Sequence, residues 1–252
     1  MYKTESTYVS AKNIYNLIGK ALGENMHAAK AMTTEAVSKM FGDMKAGGIA
    51  DTTFCMRFAF AKKLFQLAEQ WGYIERVPVM PPKPSVRPSR FDFLTMDEVD
   101  QLLAALPARY RPILAFINAT GMRFHEAASL THADITGNTV TVIGKGNKRR
   151  VVPLSGTAMK AIESSDATGN KVFAEFPKIS IYNTFRRAAK RLFPSKTVTI
   201  HTLRHSFASR LSMKGVGIMQ IQELLGHSSI SMTRRYTHLS PDWMDNVQSL
   251  LD

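Results

Sequence analysis

Cysteine is almost absent from this 252-residue chain, and its scarcity excludes several classes of protein. Cys55 is the single cysteine, so no disulfide can form within the chain, and a disulfide-stapled secreted domain is excluded. It stands among apolar residues and is expected to be a small buried side chain. The sequence has no CxxC pair or Cys/His cluster, so no structural zinc or other bound metal is expected.

Long apolar runs are also missing. No stretch approaches the ~20 apolar residues that a transmembrane helix needs. The polar start, MYKTESTYVSAKN, lacks the apolar segment of a signal peptide. We therefore expect a soluble cytoplasmic protein with no membrane partner. Hydrophobic residues still make up 44% of the chain, which is enough to build a buried core.

Negative charge is in short supply. The chain has 33 lysines and arginines against 20 acidic residues, which gives a formal net charge of +13. Such an excess favours a polyanionic partner, with nucleic acid first and an acidic membrane surface second. Many basic proteins bind neither, so the motifs must decide.

One proline-rich stretch, ERVPVMPPKPSVRPSRFDF, divides the chain at residues 75–93. Proline fixes φ and removes a backbone donor, so neither a helix nor a central strand is expected there. We predict a helical domain over residues 1–78, an extended basic linker over 79–93 and a second domain over 94–252. Arg87 and Arg90 of the linker are expected to contact DNA phosphates if the partner is DNA.

Apolar spacings of three and four residues predict helices on both sides of the linker. Before it, Phe54, Phe58 and Phe65 share one helical face, and weaker helical patterns cover residues 11–22 and 33–44. After it, Thr95 and Glu98 have the spacing of a capping box. Further helices are expected over residues 111–120, 156–162, 181–193, 202–214, 218–225 and 230–239, with glycines 121, 215 and 226 as stops.

The stretch TVTVIGKGNKRRVVPL departs from this helical pattern. Alternating β-branched residues flank Gly-Lys-Gly-Asn, which predicts a β-hairpin. The fold class is therefore mostly α with a small antiparallel β-sheet. The hairpin turn carries Lys145, Lys148, Arg149 and Arg150. It could be an ordinary charged tip, or it could place cations in a DNA groove and a lysine where it delivers a proton.

Two short motifs could hold a phosphate. In HTLRHSFASRL, His201 and Arg204 stand three residues apart at the predicted start of a helix, where backbone N–H groups also favour anions. In TGMRFHE, Glu126 follows Arg123 by three residues and could fix its guanidinium while other N–H groups bind a phosphate. Taken singly, each pair could be an ordinary surface feature. Zinc binding by His201 and His205 is disfavoured because no glutamate stands between them.

The order of the motifs TGMRFHE, GKGNKRRVVPL, HTLRHSFAS and LLGHSSISMTRRYTH resembles the tyrosine recombinases, the phage-integrase and Xer-like superfamily. The resemblance runs from about residue 94 to the end of the chain. It implies that the amphipathic tail after Tyr236 reaches a neighbouring protomer, and packing of the tail on its own domain stays open as the alternative. It implies a helical core-binding domain followed by an α+β catalytic domain. It also implies catalytic roles for six residues, of which the last is the nucleophile: Arg123, Lys145, His201, Arg204, His227 and Tyr236.

The chemistry explains why such a set would be needed. Guanidinium and imidazole groups can stabilise the extra charge of a pentacoordinate phosphorane-like transition state without a metal. Tyr236 needs a proton acceptor, for which His201 is the candidate, and the leaving 5′ oxygen needs a proton from Lys145. Lys148 is the alternative to Lys145, and it is grouped with Arg149 and Arg150 as a phosphate-binding residue.

The resemblance implies a site-specific recombinase or integrase that makes a 3′-phosphotyrosyl intermediate and a Holliday junction. It would act as a homotetramer on two double-stranded sites with inverted-repeat cores, without ATP or any cofactor. The implied location is the nucleoid, and DNA-bending proteins are possible accessory partners. Two alternatives stay open: strand relaxation like that of a type IB topoisomerase, and a non-catalytic DNA-binding regulator on the same fold.

Overall fold

The structure is a computed structural model, and it describes residues 33–85, 92–144 and 148–240. The chain divides into two compact units, Met1–Ser89 and Arg90–Asp252. Several predicted features lie outside the described residues: the helix over 11–22, Arg87, Arg90, Lys145 and the tail over 241–252.

The described part of the first unit is helical, as predicted. Helix α1 spans Thr34–Ala46, and the Thr33 side chain caps it by accepting a hydrogen bond from the backbone N–H of Ala36. Helix α2 spans Asp51–Gln70. The rings of Phe41, Phe54 and Phe58 meet between the two helices, with centroids 5.3 to 6.4 Å apart. This aromatic cluster forms the core of the unit, since Phe41 and Phe54 are almost fully buried.

The second unit opens with helices whose ends the sequence encodes. Helix α3, Met96–Ala104, begins with the predicted capping box between Thr95 and Glu98. Helix α4, Arg111–Thr120, ends at Gly121, which has φ +67. A left-handed residue stops a helix, and glycine adopts that conformation without a Cβ clash. The short helix α5, Phe124–Ser129, follows at once.

The predicted hairpin is present, and a third strand joins it. Strand β2, Thr139–Ile143, pairs antiparallel with β3, Arg149–Pro153. Strand β1, Ile135–Thr136, adds to the β2 edge, so the order is β1-β2-β3. Strand β1 was not predicted because two residues are too few to show an alternating pattern.

The described part of the second unit has four more α-helices: α6 (Gly156–Glu163), α7 (Lys178–Leu192), α8 (Ile200–Met213) and α9 (Ile218–Leu225). One apolar core joins the sheet to most of the helices, with Leu114, Phe116 and Val140 among its fully buried members. A smaller cluster joins α9 to α8: Ala208, Ile221, Leu225 and Tyr236. Helix α9 ends at Gly226, with φ +63, as predicted. The prediction of a mostly α fold with a small antiparallel sheet is thus confirmed.

The prediction of an α-helix over residues 230–239 is wrong. The segment forms two 3₁₀ helices, Ile230–Met232 and Arg234–Leu239. Its hydroxyl side chains make local hydrogen bonds. Ser229 accepts one from the N–H of Ser231, and Thr237 donates one to the carbonyl of Arg234. Such local bonds compete with the i→i−4 ladder of an α-helix.

Candidate active site

Helix α8 presents His201 and Arg204 near its first turn, as the HxxR spacing predicts. Arg204 is 1% exposed, and its two terminal nitrogens donate to the carbonyls of Gly121 (2.8 Å) and Leu225 (2.7 Å). Burial, together with the nearby charge of Arg123, lowers the pKa of Arg204 to about 9. Both hydrogen-bond partners are neutral carbonyls, so within the described part of the chain the guanidinium is buried without a carboxylate bonded to it. A buried cation in this state favours a bound anion.

Arg123 and Arg150 share one buried carboxylate, that of Glu126. Oε1 of Glu126 accepts from Nη1 of Arg123 (2.9 Å) and from Nη1 of Arg150 (3.1 Å). Oε2 accepts from the backbone N–H of Arg123 (2.8 Å) and from Nη2 of Arg150 (2.7 Å). Burial alone would raise the pKa of Glu126, but these bonds hold it at about 2. The carboxylate is therefore ionised, and it orients Arg123 as the sequence predicted.

The carboxyl end of helix α9 collects three arginines from three parts of the chain. Its successive carbonyls each accept one guanidinium N–H: Leu224 from Arg150 at 3.1 Å, Leu225 from Arg204 at 2.7 Å, and Gly226 from Arg123 at 3.4 Å. The last carbonyls of a helix lack partners within the helix and carry its negative partial charge. They therefore hold three cations close together, immediately before His227.

His201, His205 and His227 belong to the same cluster. Burial, helped by neighbouring cationic groups, lowers the pKa of His201 to about 4, of His205 to about 3 and of His227 to about 4. The Nδ1 of His227 lies 2.7 Å from the hydroxyl of Thr233, which fixes the ring. All three rings are neutral near pH 7 in the free protein.

Tyr236 reaches this cluster from the last described segment. Its side chain is 1% exposed, and its backbone carbonyl accepts a hydrogen bond from Ser212 of helix α8. Its Oη lies 2.6 Å from Nδ1 of His205. Burial raises the pKa of the phenol to about 12, against a lowering by Arg235 and Arg204. The phenol is therefore protonated near neutral pH.

His205 is the residue whose importance sequence reasoning missed. It was considered only as a zinc ligand, yet it contacts the phenol of Tyr236 directly. Its ring centroid also lies 4.9 Å from that of His201. The available signal was its position one helical turn after His201, which places both rings on one face of α8.

The hairpin cations separate into two sets. Lys148 and Arg149 are exposed, as expected for a charged tip. The expectation that Arg150 is exposed is wrong, because its side chain is 8% exposed and bound to Glu126. Alternation along β3 explains this, since Arg150 shares the inner face with Val152.

An open cavity of about 180 Å³ adjoins the cluster. Arg123 and His201 form one side, and Phe124, Lys178 and Tyr182 are among its other lining residues. Among residues 33–85, 92–144 and 148–240, no group of three or more His, Cys, Asp or Glu side chains could hold a metal ion. In the same ranges, no helix is both long and apolar enough to cross a membrane.

Comparison with known proteins places this geometry in a class. The model of the phage integrase family matches residues 92–242. The tyrosine recombinase XerD of Halalkalibacterium halodurans is 30% identical over 248 residues, covering 88% of this chain and 82% of that protein. The integrase of Escherichia phage P2 is 37% identical over 161 residues, covering 63% of this chain and 46% of that protein.

Solved structures agree on the fold. A lambda integrase dimer bound to a COC′ core site aligns with a TM-score of 0.78 and 20% identity, covering 94% of this chain and 72% of that chain. XerH recombinase bound to a difH substrate aligns with a TM-score of 0.66 and 21% identity, covering 88% and 72%. The fold is thus that of the tyrosine recombinase superfamily. Within it, this chain belongs to the phage integrase family.

Proposed function

We propose that this chain is a site-specific DNA recombinase that cuts and rejoins strands through a 3′-phosphotyrosyl bond to Tyr236. One observation carries the proposal: the guanidiniums of Arg123, Arg150 and Arg204 converge on a single carboxylate and on three carbonyls at the end of helix α9. Three cations against one carboxylate leave a net positive centre beside a tyrosine. A phosphodiester supplies the missing negative charge.

The phosphate-binding roles fall to Arg123 and Arg204, with His227 as a neutral donor. Arg123 keeps 26% of its side chain exposed beside the open cavity, so a non-bridging oxygen can reach it. Removing one donor to such a developing charge typically costs about 2.7–4 kcal/mol in other enzymes. All of these residues lie within the region that matches the phage integrase family.

The proposed reaction begins when the oxygen of Tyr236 attacks the phosphorus and the bond to the 5′ oxygen breaks. The phenolic proton passes to a neutral histidine, and the 5′ oxygen takes a proton from a lysine of the hairpin, Lys145 or Lys148. A 5′-hydroxyl from the partner duplex then attacks the phosphotyrosine, so no ATP is consumed. Two such exchanges by four protomers on two inverted-repeat sites would recombine the duplexes through a Holliday junction.

Before attack, the phenol must leave the buried position that it occupies in the free protein. Tyr236 is held by His205 through its Oη and by Ser212 through its carbonyl. We assign His205 to holding the phenol and His201 to accepting its proton at the phosphate. The segment Arg234–Leu239 is the part that moves, because it is a 3₁₀ helix without the bonds of a full α-helix.

The test is covalent capture. Nicked suicide duplexes with a randomised core are incubated with the full chain, and sequences that become attached to protein are recovered and resynthesised. Wild type is expected to attach to the 3′ end at the break and to release a strand with a 5′-hydroxyl. Tyr236→Phe is expected to form no adduct, whereas Tyr110→Phe, at another buried tyrosine, keeps it.

An adduct formed by Tyr236→Phe would contradict the proposed nucleophile. Exchange between two copies of the recovered site on plasmids then separates recombination from relaxation. Relaxed plasmid without exchanged products would instead assign the chain to strand relaxation like that of a topoisomerase.

A further inference from the structure

Arg150 faces the wrong way for a hairpin cation that contacts DNA. Its neighbours Arg149 and Val151 on β3 are exposed, whereas Val152 on the same face as Arg150 is buried. Strand alternation therefore directs this guanidinium into the second unit and away from the hairpin surface.

All three guanidinium nitrogens of Arg150 have partners in the site. Nη1 and Nη2 bind the two oxygens of Glu126, and Nε donates to the carbonyl of Leu224. Only arginine offers this planar fork, because a lysine has one ammonium at the end of a flexible chain. A bond of Nε to helix α9 fixes the plane in which the fork meets Glu126.

Gly226 makes room for this arrangement. A Cβ on Gly226 would lie 3.0 Å from Cδ of Arg150, 3.1 Å from Nη1 and 3.2 Å from Nε. The glycine thus serves two purposes, because its φ of +63 ends helix α9 and its bare Cα lets the arginine pass. Two separate segments, strand β3 and the end of helix α9, therefore set the position of the Arg150 side chain.

Charge counting shows what Arg150 contributes. Glu126 is 2% exposed and ionised, and it touches both Arg123 and Arg150. With Arg150 absent, the single negative charge of Glu126 would offset the positive charge of Arg123. With Arg150 present, the pair Arg150–Glu126 is neutral, and the charge of Arg123 stays available to an anion.

We propose that Arg150 is a positioning residue that acts through Glu126, orienting Arg123 and leaving its charge free for the scissile phosphate. The inference rests on the proposed function, because it needs Arg123 to bind that phosphate. It gives Arg150 a role inside the protein in place of the DNA-phosphate contact expected from the sequence.

The experiment compares two versions of the recovered suicide duplex. One has the natural phosphodiester at the scissile position, and the other has a methylphosphonate, which lacks the negative non-bridging oxygen. Arg150→Met is expected to slow single-turnover adduct formation on the phosphodiester by roughly tenfold to a hundredfold, as loss of a supporting partner does in metal sites. On the methylphosphonate its rate is expected to approach that of wild type, because no anionic oxygen needs neutralising.

Three further variants bracket the result. Arg123→Ala removes the phosphate ligand itself and is expected to show a larger loss on the phosphodiester and the same rescue. Arg210→Met removes another partly buried arginine, one bound to the side chain and carbonyl of Asn118, and is expected to change both rates by the same factor. Arg150→Lys restores the charge without the fork and is expected to recover part of the phosphodiester rate.

The proposal is overturned if Arg150→Met loses the same factor on both substrates, or if Arg150→Lys is no faster than Arg150→Met on the phosphodiester. If Arg150→Met fails to fold, Arg150→Lys against wild type carries the substrate comparison. Failure of the proposed function looks different, because wild type would then form no adduct or Arg123→Ala would show no rescue.

Discussion

Arg204 illustrates how one residue can be stabilised and still require a ligand. Its two carbonyl partners satisfy terminal N–H groups but bring no full negative charge. Removing a cation from water costs several kcal/mol in a protein interior, and neutral dipoles offset only part of that. In the free protein, this guanidinium therefore lies where a bound anion would supply the missing negative charge.

The buried imidazole of His205 leads to a prediction about how stability depends on pH. Burial holds its folded pKa near 3, below the value of about 6.5 expected in an unfolded chain. The unfolded chain therefore takes up a proton as the pH falls below about 6.5, while the folded protein does not. His205 thus contributes stability above that pH, and the contribution is lost as the pH falls towards 3.

His205→Asn should reduce the fall of the thermal unfolding midpoint between about pH 6.5 and 4.5, as measured by calorimetry. The fall should not vanish, because His201 and His227 contribute over the same range. That window lies above the titration of Glu126, whose pKa is about 2. The exposed His125 supplies the control, since His125→Asn should leave the wild-type slope intact. An unchanged slope in His205→Asn would contradict burial of a neutral imidazole there.

Helix α9 is the element that organises the site. Its last carbonyls meet three arginines, and Gly226 then turns the chain so that His227 enters the same cluster. Every α-helix ends in carbonyls that have no partner within the helix. The place where helix α9 ends therefore decides which cations bind these carbonyls. Here the stop is encoded locally, and the cations come from α5, β3 and α8.

Two glycines of the same region test this account. Gly215 and Gly226 both have positive φ, but only Gly226 has a side chain packed against its Cα. Gly215→Ala should cost about 1 kcal/mol of unfolding free energy for the left-handed backbone. Gly226→Ala should cost a further 1–3 kcal/mol or so for overpacking against Arg150.

Urea unfolding of both variants measures the difference. Gly226→Ala should also slow adduct formation, because the displaced Arg150 supports Arg123, whereas Gly215→Ala should not. Equal losses of stability at the two glycines would show that Arg150 can move aside at no cost.

At the scale of the whole molecule, the positive charge and the two compact units bear on DNA affinity. A net charge of +13 favours binding that releases counterions from DNA. For about 6–10 phosphate contacts, affinity should fall by roughly 10³–10⁵ between about 50 and 200 mM salt.

Fluorescence anisotropy with a labelled duplex of the recovered site, titrated at several chloride concentrations, gives the slope of log affinity against log salt concentration. Arg204→Met should weaken DNA binding. It should reduce the slope of log affinity against log salt concentration by no more than about the contribution of one phosphate contact. A flat dependence on salt would contradict phosphate-dominated binding by either unit.

The sequence by itself determined the locally encoded features of this protein. Each of these features depends on residues within a few positions of one another, so the sequence alone predicts it. They are the helix ends at Gly121 and Gly226, the capping box of Thr95 and the hairpin. The ordered motifs also identified the family, which the family model confirms.

Only the tertiary structure decided how the site is held together. The bond from Arg204 to Gly121 spans 83 positions, and that from Arg150 to Leu224 spans 74. The contact of His205 with Tyr236 spans 31 positions. Helix caps and turns arise from neighbours in sequence, whereas these bonds exist only after the core has packed α8 and α9 beside the sheet. Spacing could place Arg150 on the face of Val152 and His205 on the face of His201, but it could not show that Glu126 and the phenol of Tyr236 are their partners.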